Sequence, residues 1–174
     1  MRRVPRQLDS PEALHAAALR ALMRRAHSVH EMRQALERRS SDEAQVRAEL
    51  DNLKRQNLLD DARYARDFAR SHAAVRRQGR FRISQELRRR GVPDRHIESA
   101  LEEVFALQDE AALVRQRLDR KLRSLRGPLD ERRLASLYRS LLRAGFSADL
   151  VRAAINTHAR GASFETEEPS AESS

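Results

Sequence analysis

Three times along the chain the same phrase recurs: an apolar residue, three others, a leucine, three others, a small residue. It occurs as Met32, Leu36 and Ser40, as Ile83, Leu87 and Gly91, and as Leu137, Leu141 and Gly145, at offsets of 51 and 54 residues. A second apolar set comes after each phrase: Val46, Leu50 and Leu53; Ile97, Leu101 and Val104; Val151 and Ile155. A longer amphipathic run precedes each: Leu14 to Leu22, Tyr64 to Ala73, and Val114 to Leu125. Apolar residues at i, i+3 and i+4 make one face of a helix, and no stretch alternates as a half-buried strand would. The pattern predicts an all-α chain of three tandem three-helix repeats over residues 10–58, 59–107 and 108–160. Because each repeat buries its apolar face mainly against its sequence neighbours, the expected form is an elongated, curved solenoid with one long face for binding.

Start and stop signals agree. Ser10-Pro11-Glu12 is a helix start with proline at the first helical position, and Ser28-Val29-His30-Glu31 fits the capping box. Asp60-Asp61 puts acids at the start of the next helix, where the dipole favours them. Gly91 and Gly145 stand where a helix would end in a left-handed residue, with Pro93 and Ser147 opening the helix after it, and Gly127-Pro128 separates two helices.

Composition narrows the chemistry. The 174 residues carry 35 Lys+Arg against 26 Asp+Glu, for a formal charge of +9, and only Lys54 and Lys121 are lysine. Arginine's planar fork suits phosphate and carboxylate, so the bias fits a polyanionic partner; an arginine-rich genome would give the same ratio. With no cysteine, disulfides, thiolate nucleophiles and Cys-based zinc sites are excluded. The basic start, with Arg2, Arg3 and Arg6, lacks the apolar core of a signal peptide, and no window could span a membrane; the expected location is the cytoplasm. The last ten residues, ETEEPSAESS, hold four glutamates, which leaves 35 cations against 22 acids (+13) on residues 1–164. Residues 161–174 are expected to be a disordered acidic tail, either solubilising or competing weakly for the partner of the basic body.

The strongest charge feature is RRQGRFRISQELRRRGVP, residues 76–93, with seven arginines against the single acid Glu86. No acid lies between Asp67 and Glu86, whereas a solvated helix face usually mixes both signs. On a helix from about 80 to 90, Ile83 and Leu87 define the buried seam, while Arg82, Gln85 and Arg89 project away from it with Arg88 at their flank. Arg76, Arg77 and Arg80 lie just before or at its start. These six arginines, 76, 77, 80, 82, 88 and 89, are the candidate partner- or nucleic-acid-binding residues. Phe81 is their only aromatic, so contacts to phosphate or carboxylate are expected rather than base stacking. Arg90, like Arg39 in the first repeat, falls close to the buried seam in the last helical turn; it is expected to serve the fold, its charge snorkelling outward. The pair 80–90 and 94–106 has the turn length of a helix-turn-helix, but its second helix carries Asp94, Glu98, Glu102 and Glu103, unlike a helix that enters a major groove.

Enzyme signals are thin. His27 and His30 have no evident third ligand, the other histidines are scattered, adjacent acids point in different directions, and the five glycines make no phosphate-cradling loop. Neither a catalytic residue, nor a metal, nor a cofactor is assigned.

The run LLDDARYARDFARSHAAVRRQGRFRISQELRRRGVPDRHIESALEEV, Leu58 to Val104, resembles the central repeat of the RecX family, bacterial modulators of the RecA recombinase. The likeness rests on Leu-Leu-Asp-Asp, Arg-Tyr-Ala-x-x-Phe, Gly-x-x-x-Ile-x-x-Glu-Leu, and Arg-Gly-Val before Ile-x-x-Ala-Leu. The first repeat matches near residue 18 and through Ser28, Glu31, Met32 and Leu36; the third matches only by apolar spacing. The resemblance implies a non-catalytic protein that lies in the groove of RecA filaments on single-stranded DNA. There it would damp strand exchange, ATP hydrolysis and LexA cleavage. The chain itself is expected to be monomeric. The alternative from the residues alone is a direct DNA-binding protein that uses the central basic helix. The basic arm and the acidic tail depart from the family pattern.

Overall fold

The structure is a computed structural model that describes residues 10–125 and 129–165, with side chains to 159. The expectations for Arg2, Arg3 and Arg6, for Gly127-Pro128 and for residues 166–174 lie outside it. The described residues are all-helical: α1 (Pro11–Leu22), α2 (Val29–Glu37), α3 (Glu43–Arg55), α4 (Asp61–Ala74), α5 (Arg80–Arg89), α6 (Asp94–Leu107), α7 (Glu110–Ser124), α8 (Glu131–Arg143) and α9 (Ala148–Glu165). They group into two compact units, residues 1–70 with 84–103, and residues 71–83 with 104–174.

The helix ends form where the chemistry of the chain predicts. Ser10 caps α1, with Pro11 opening it, and Ser28 and Glu31 cap α2 reciprocally. Asp42, Asp109 and Asp130 cap α3, α7 and α8 with their carboxylates, and Ser147 accepts from the Leu150 amide at the start of α9. Asp60 accepts from the Ala62 and Arg63 amides at the start of α4. Its neighbour Asp61 does something else. Its carboxylate accepts from the Val29 amide, 2.9 Å away, and so satisfies an orphan donor of α2 rather than of its own helix.

In the first unit α1, α2 and α3 pack together around Leu14, Ala18, Met32, Leu36, Val46, Leu50, Leu53 and Leu59, all essentially buried. Each large side chain among them contributes about 1.5–3 kcal/mol relative to exposure. In the second unit α7, α8 and α9 pack on one another, burying Val114, Leu118, Leu137, Leu141, Phe146 and Val151.

The recurring small residue has a physical cause that the phrase alone does not disclose. Gly145 (φ 93°) ends α8, and the turn it makes seats on the start of α5. The Gly79 amide donates to the Ala144 carbonyl (2.9 Å) and the Phe81 amide to the Gly145 carbonyl (3.2 Å). Orphan donors at one helix start thus meet orphan acceptors at another helix end. The approach is so close that a Cβ on Gly145 would stand 2.3 Å from the Arg82 nitrogen. The first unit repeats the device three helices earlier. Gly91 (φ 70°) ends α5 against the start of α2, a Cβ there would meet the His30 ring at 2.3 Å, and the Ser28 hydroxyl donates to the Arg90 carbonyl. Ser40 closes α2 and keeps an ordinary φ.

One boundary differs from expectation. α9 runs to Glu165, through residues 161–165 that the sequence assigns to a disordered tail. A single glycine, Gly161, costs a helix only about 1 kcal/mol and does not stop it, and the first proline downstream is Pro169.

Candidate partner-binding arginines

Four of the six arginines, 76, 77, 80 and 82, belong to the second unit, and Arg88 and Arg89 belong to the first. In the second unit Arg80 is committed. Its guanidinium lies 3.3 Å from Glu110 and stacks 4.9 Å over the Phe105 ring, while its amide donates to the same carboxylate. Arg77 adopts a left-handed backbone (φ 48°) and donates from Nε to Gln116 Oε1 (3.1 Å). Arg82 is half-buried beside Gly145, and Arg76 is exposed with no ionic partner among the described residues. In the first unit Arg88 pairs with Asp94 (2.7 Å), with both side chains largely in solvent, a pair worth at most about 1 kcal/mol. Arg89 is exposed and has no ionic partner among the described residues. α5 buries Ile83, Ser84 and Leu87 and exposes Phe81, Gln85, Arg88 and Arg89. Gln85 and Arg89 face as the periodicity predicts, whereas Arg82, expected to project with them, is half-buried because the Gly145 turn seats against it.

Two of the acids of α6 hold arginines of the first unit. Besides Asp94, Glu103 lies 3.3 Å from Arg70 and 3.9 Å from Arg66. Negative charge committed in this way is a poor fit to a major groove.

Arg90 serves the fold, but not by reaching into water. It donates to Glu31 Oε1 (2.9 Å) and to the Tyr64 hydroxyl (3.1 Å), and lies 5.0 Å over the Phe68 ring. Arg25 grips the same carboxylate with two nitrogens at 3.0 and 3.1 Å, Tyr64 donates to it at 3.2 Å, and the Ser28 amide completes the set. Burial alone would raise the Glu31 carboxyl. The Arg25 guanidinium, the Ser28 amide and the Arg90 charge outweigh it and hold the group below the usual carboxylate range. Burial and the adjacent Glu31 charge push the Tyr64 phenol up, so it remains a donor. Sequence reasoning did not place Glu31 in this network, because one of its arginine partners, Arg90, is 59 residues away.

A second arginine escaped that reasoning. Arg117, half-buried in α7, donates from Nη1 to the Arg76 carbonyl (2.8 Å) and the Arg77 carbonyl (3.2 Å). The histidine pair separates: His27 Nδ1 stands 2.9 Å from the Arg25 carbonyl and His30 Nε2 3.0 Å from the Gln34 amide. Among the described residues no group of three or more His, Cys, Asp or Glu could hold a metal, and no helix is long and apolar enough to cross a membrane.

The described residues form an all-helical protein with an arginine-dense surface. A family model described as RecX, second three-helix domain, matches residues 60–101. The regulatory protein RecX of Halorhodospira halophila is 42% identical over 145 residues, covering 82% of this chain and 86% of its own. That of Prosthecochloris aestuarii is 35% identical, covering 83% and 91%. Two crystal structures share the fold at a TM-score of 0.73 over 84% of this chain: a regulatory protein RecX (24% identity, 73% of its chain) and RecX from Lactobacillus salivarius (18%, 95%). The chain belongs to the RecX family. Its relatives carry the name of regulatory proteins, not of enzymes.

Proposed function

We propose that the chain is a negative modulator of RecA that binds RecA filaments on single-stranded DNA in the cytoplasm and damps strand exchange, ATP hydrolysis and LexA cleavage. The observation that carries this reading is an arginine run with a single acid, Glu86, on a member of the RecX family, with Arg76 and Arg89 lacking ionic partners among the described residues. Arg76, Arg77, Arg80, Arg82, Arg88 and Arg89 face the filament or its DNA in this reading. Arg80 and Arg88 must first release Glu110 and Asp94, so they add less than their charge suggests. The protein acts as a monomer built of three repeats, 10–58, 59–107 and 108–160, so that modest contacts on several RecA protomers combine by avidity.

Changing Arg82, Arg88 and Arg89 together to alanine is expected to weaken filament binding about tenfold while circular dichroism stays helical. Lost helicity would assign these residues to the fold instead. A second measurement separates the filament from bare DNA: affinity for single-stranded DNA with and without RecA and nucleotide, across a salt series. Tighter binding with RecA supports the proposal. Equal affinity with a steep salt slope favours direct DNA binding through phosphate contacts.

A further inference from the structure

We propose that Arg77, Arg117 and Arg120 of the second unit form a binding site for phosphate that presents more than one negative charge, on one terminal group or on successive groups. Arg117 and Arg120 stand three residues apart on α7 and therefore share a side of that helix. The fork of Arg117 is fixed rather than free. Its Nη1 is tethered to the carbonyls of Arg76 and Arg77, a grip that rests on the left-handed backbone of Arg77. That conformation costs an L-residue about 1–2 kcal/mol, so the turn is retained against a local penalty. Nε, which shares the opposite edge of the guanidinium with Nη2, is buried and has no hydrogen-bond partner among the described residues.

Among the described residues no carboxylate is paired with any of the three. Asp119 lies about 200° around α7 from Arg117, Glu110 is taken by Arg80, and Asp109 by Arg115. Burial, and then repulsion from Arg120 and Arg77, makes the Arg117 cation unusually easy to discharge for an arginine. A fold that gathers like charges around a half-buried guanidinium, and leaves one of its donors unmet, is complementary to an anion it does not contain.

The chemistry of that anion is set by the count of charges and donors. A carboxylate brings one charge and two oxygens, whereas a terminal phosphate brings about −1.5 to −2 and three oxygens. Guanidinium forks match phosphate oxygens two at a time. The group belongs either to a free polyphosphate, such as that of a nucleotide, or to successive links of a nucleic-acid strand.

The test uses the full chain without RecA at low salt, titrated calorimetrically with inorganic triphosphate and, separately, with a short oligothymidylate. Arg120→Gln, an exposed change that spares the Arg117 tether, is expected to weaken binding about tenfold. Arg117→Lys, which keeps the charge but loses the fork, should weaken it as well. Arg115→Gln on the same helix should change it less than about twofold. Loss with triphosphate alone identifies a free polyphosphate as the ligand, and loss with both probes identifies the strand backbone as a further source. Absence of binding to either probe, or an Arg120→Gln effect no larger than that of Arg115→Gln, overturns the proposal. Because RecA is absent, this outcome is independent of filament binding.

Discussion

Replacing Gly145 by alanine is expected to lower stability by about 3 kcal/mol, a fall of about 6–12 °C in thermal midpoint for a chain of this size. Two effects add. Holding φ at 93° costs a residue with a Cβ about 1–2 kcal/mol. The new Cβ would also stand 2.3, 2.5 and 2.9 Å from the nitrogen, Cβ and Cα of Arg82, atoms fixed in α5 that cannot swing aside. Relieving that overlap means parting the turn from the helix start, with the loss of the two hydrogen bonds from Gly79 and Phe81, each worth about 1 kcal/mol. The corresponding change in the first copy, Ser40→Ala, meets none of this. It removes only a hydroxyl that accepts from the Asp42 amide, and should cost less than about 1 kcal/mol. Equal midpoints for the two variants would show that the glycine turn is not held as described.

The second large effect is expected at Glu31. Glu31→Gln keeps the shape but removes the charge that Arg25 and Arg90 share, leaving a half-buried Arg90 with only the Tyr64 hydroxyl and the Phe68 ring. The expected loss is about 2 kcal/mol, less than for a fully buried pair because both arginines keep some contact with water. Its pH dependence has a definite sign. The carboxyl is depressed in the folded protein, so the unfolded chain takes up its proton first as the medium is acidified. The contribution is therefore complete above the ordinary carboxylate pKa of about 4.3 and drains away as pH falls from there through the lower folded value. Denaturant unfolding near neutrality should show the full difference between wild type and Glu31→Gln, and the gap should close in acid. A gap that holds constant in acid would mean the carboxylate is not the origin of the effect.

Much of this fold was legible from spacing alone. The phrases built on Met32, Ile83 and Leu137 mark helices whose apolar positions are buried, and Gly91 and Gly145 take the left-handed conformation expected at helix ends. These are local signals, set by the period of one helix and the sterics of one residue. The network of Glu31, Tyr64 and Arg90 was not legible, since no local rule pairs residues 59 positions apart. The arginine run is intermediate. Its lack of nearby acids in sequence is real, yet Glu110, 30 residues beyond Arg80, neutralises one of its members in space. Asp61 shows the same limit: its acidity at a helix start was plain, but the helix it caps is not its own. Arg117 sat among ordinary α7 cations, and only the turn at Arg77 gives it a distinct role.

The glycine turns also share one joint. Each is a plug, the left-handed turn that ends one helix, seated in a socket, the start of an earlier one. The sockets hold the plug with different donors: the Ser28 hydroxyl at α2, and the Gly79 and Phe81 amides at α5. A capping side chain and bare backbone thus serve the same joint, and what both copies share is a plug without a Cβ.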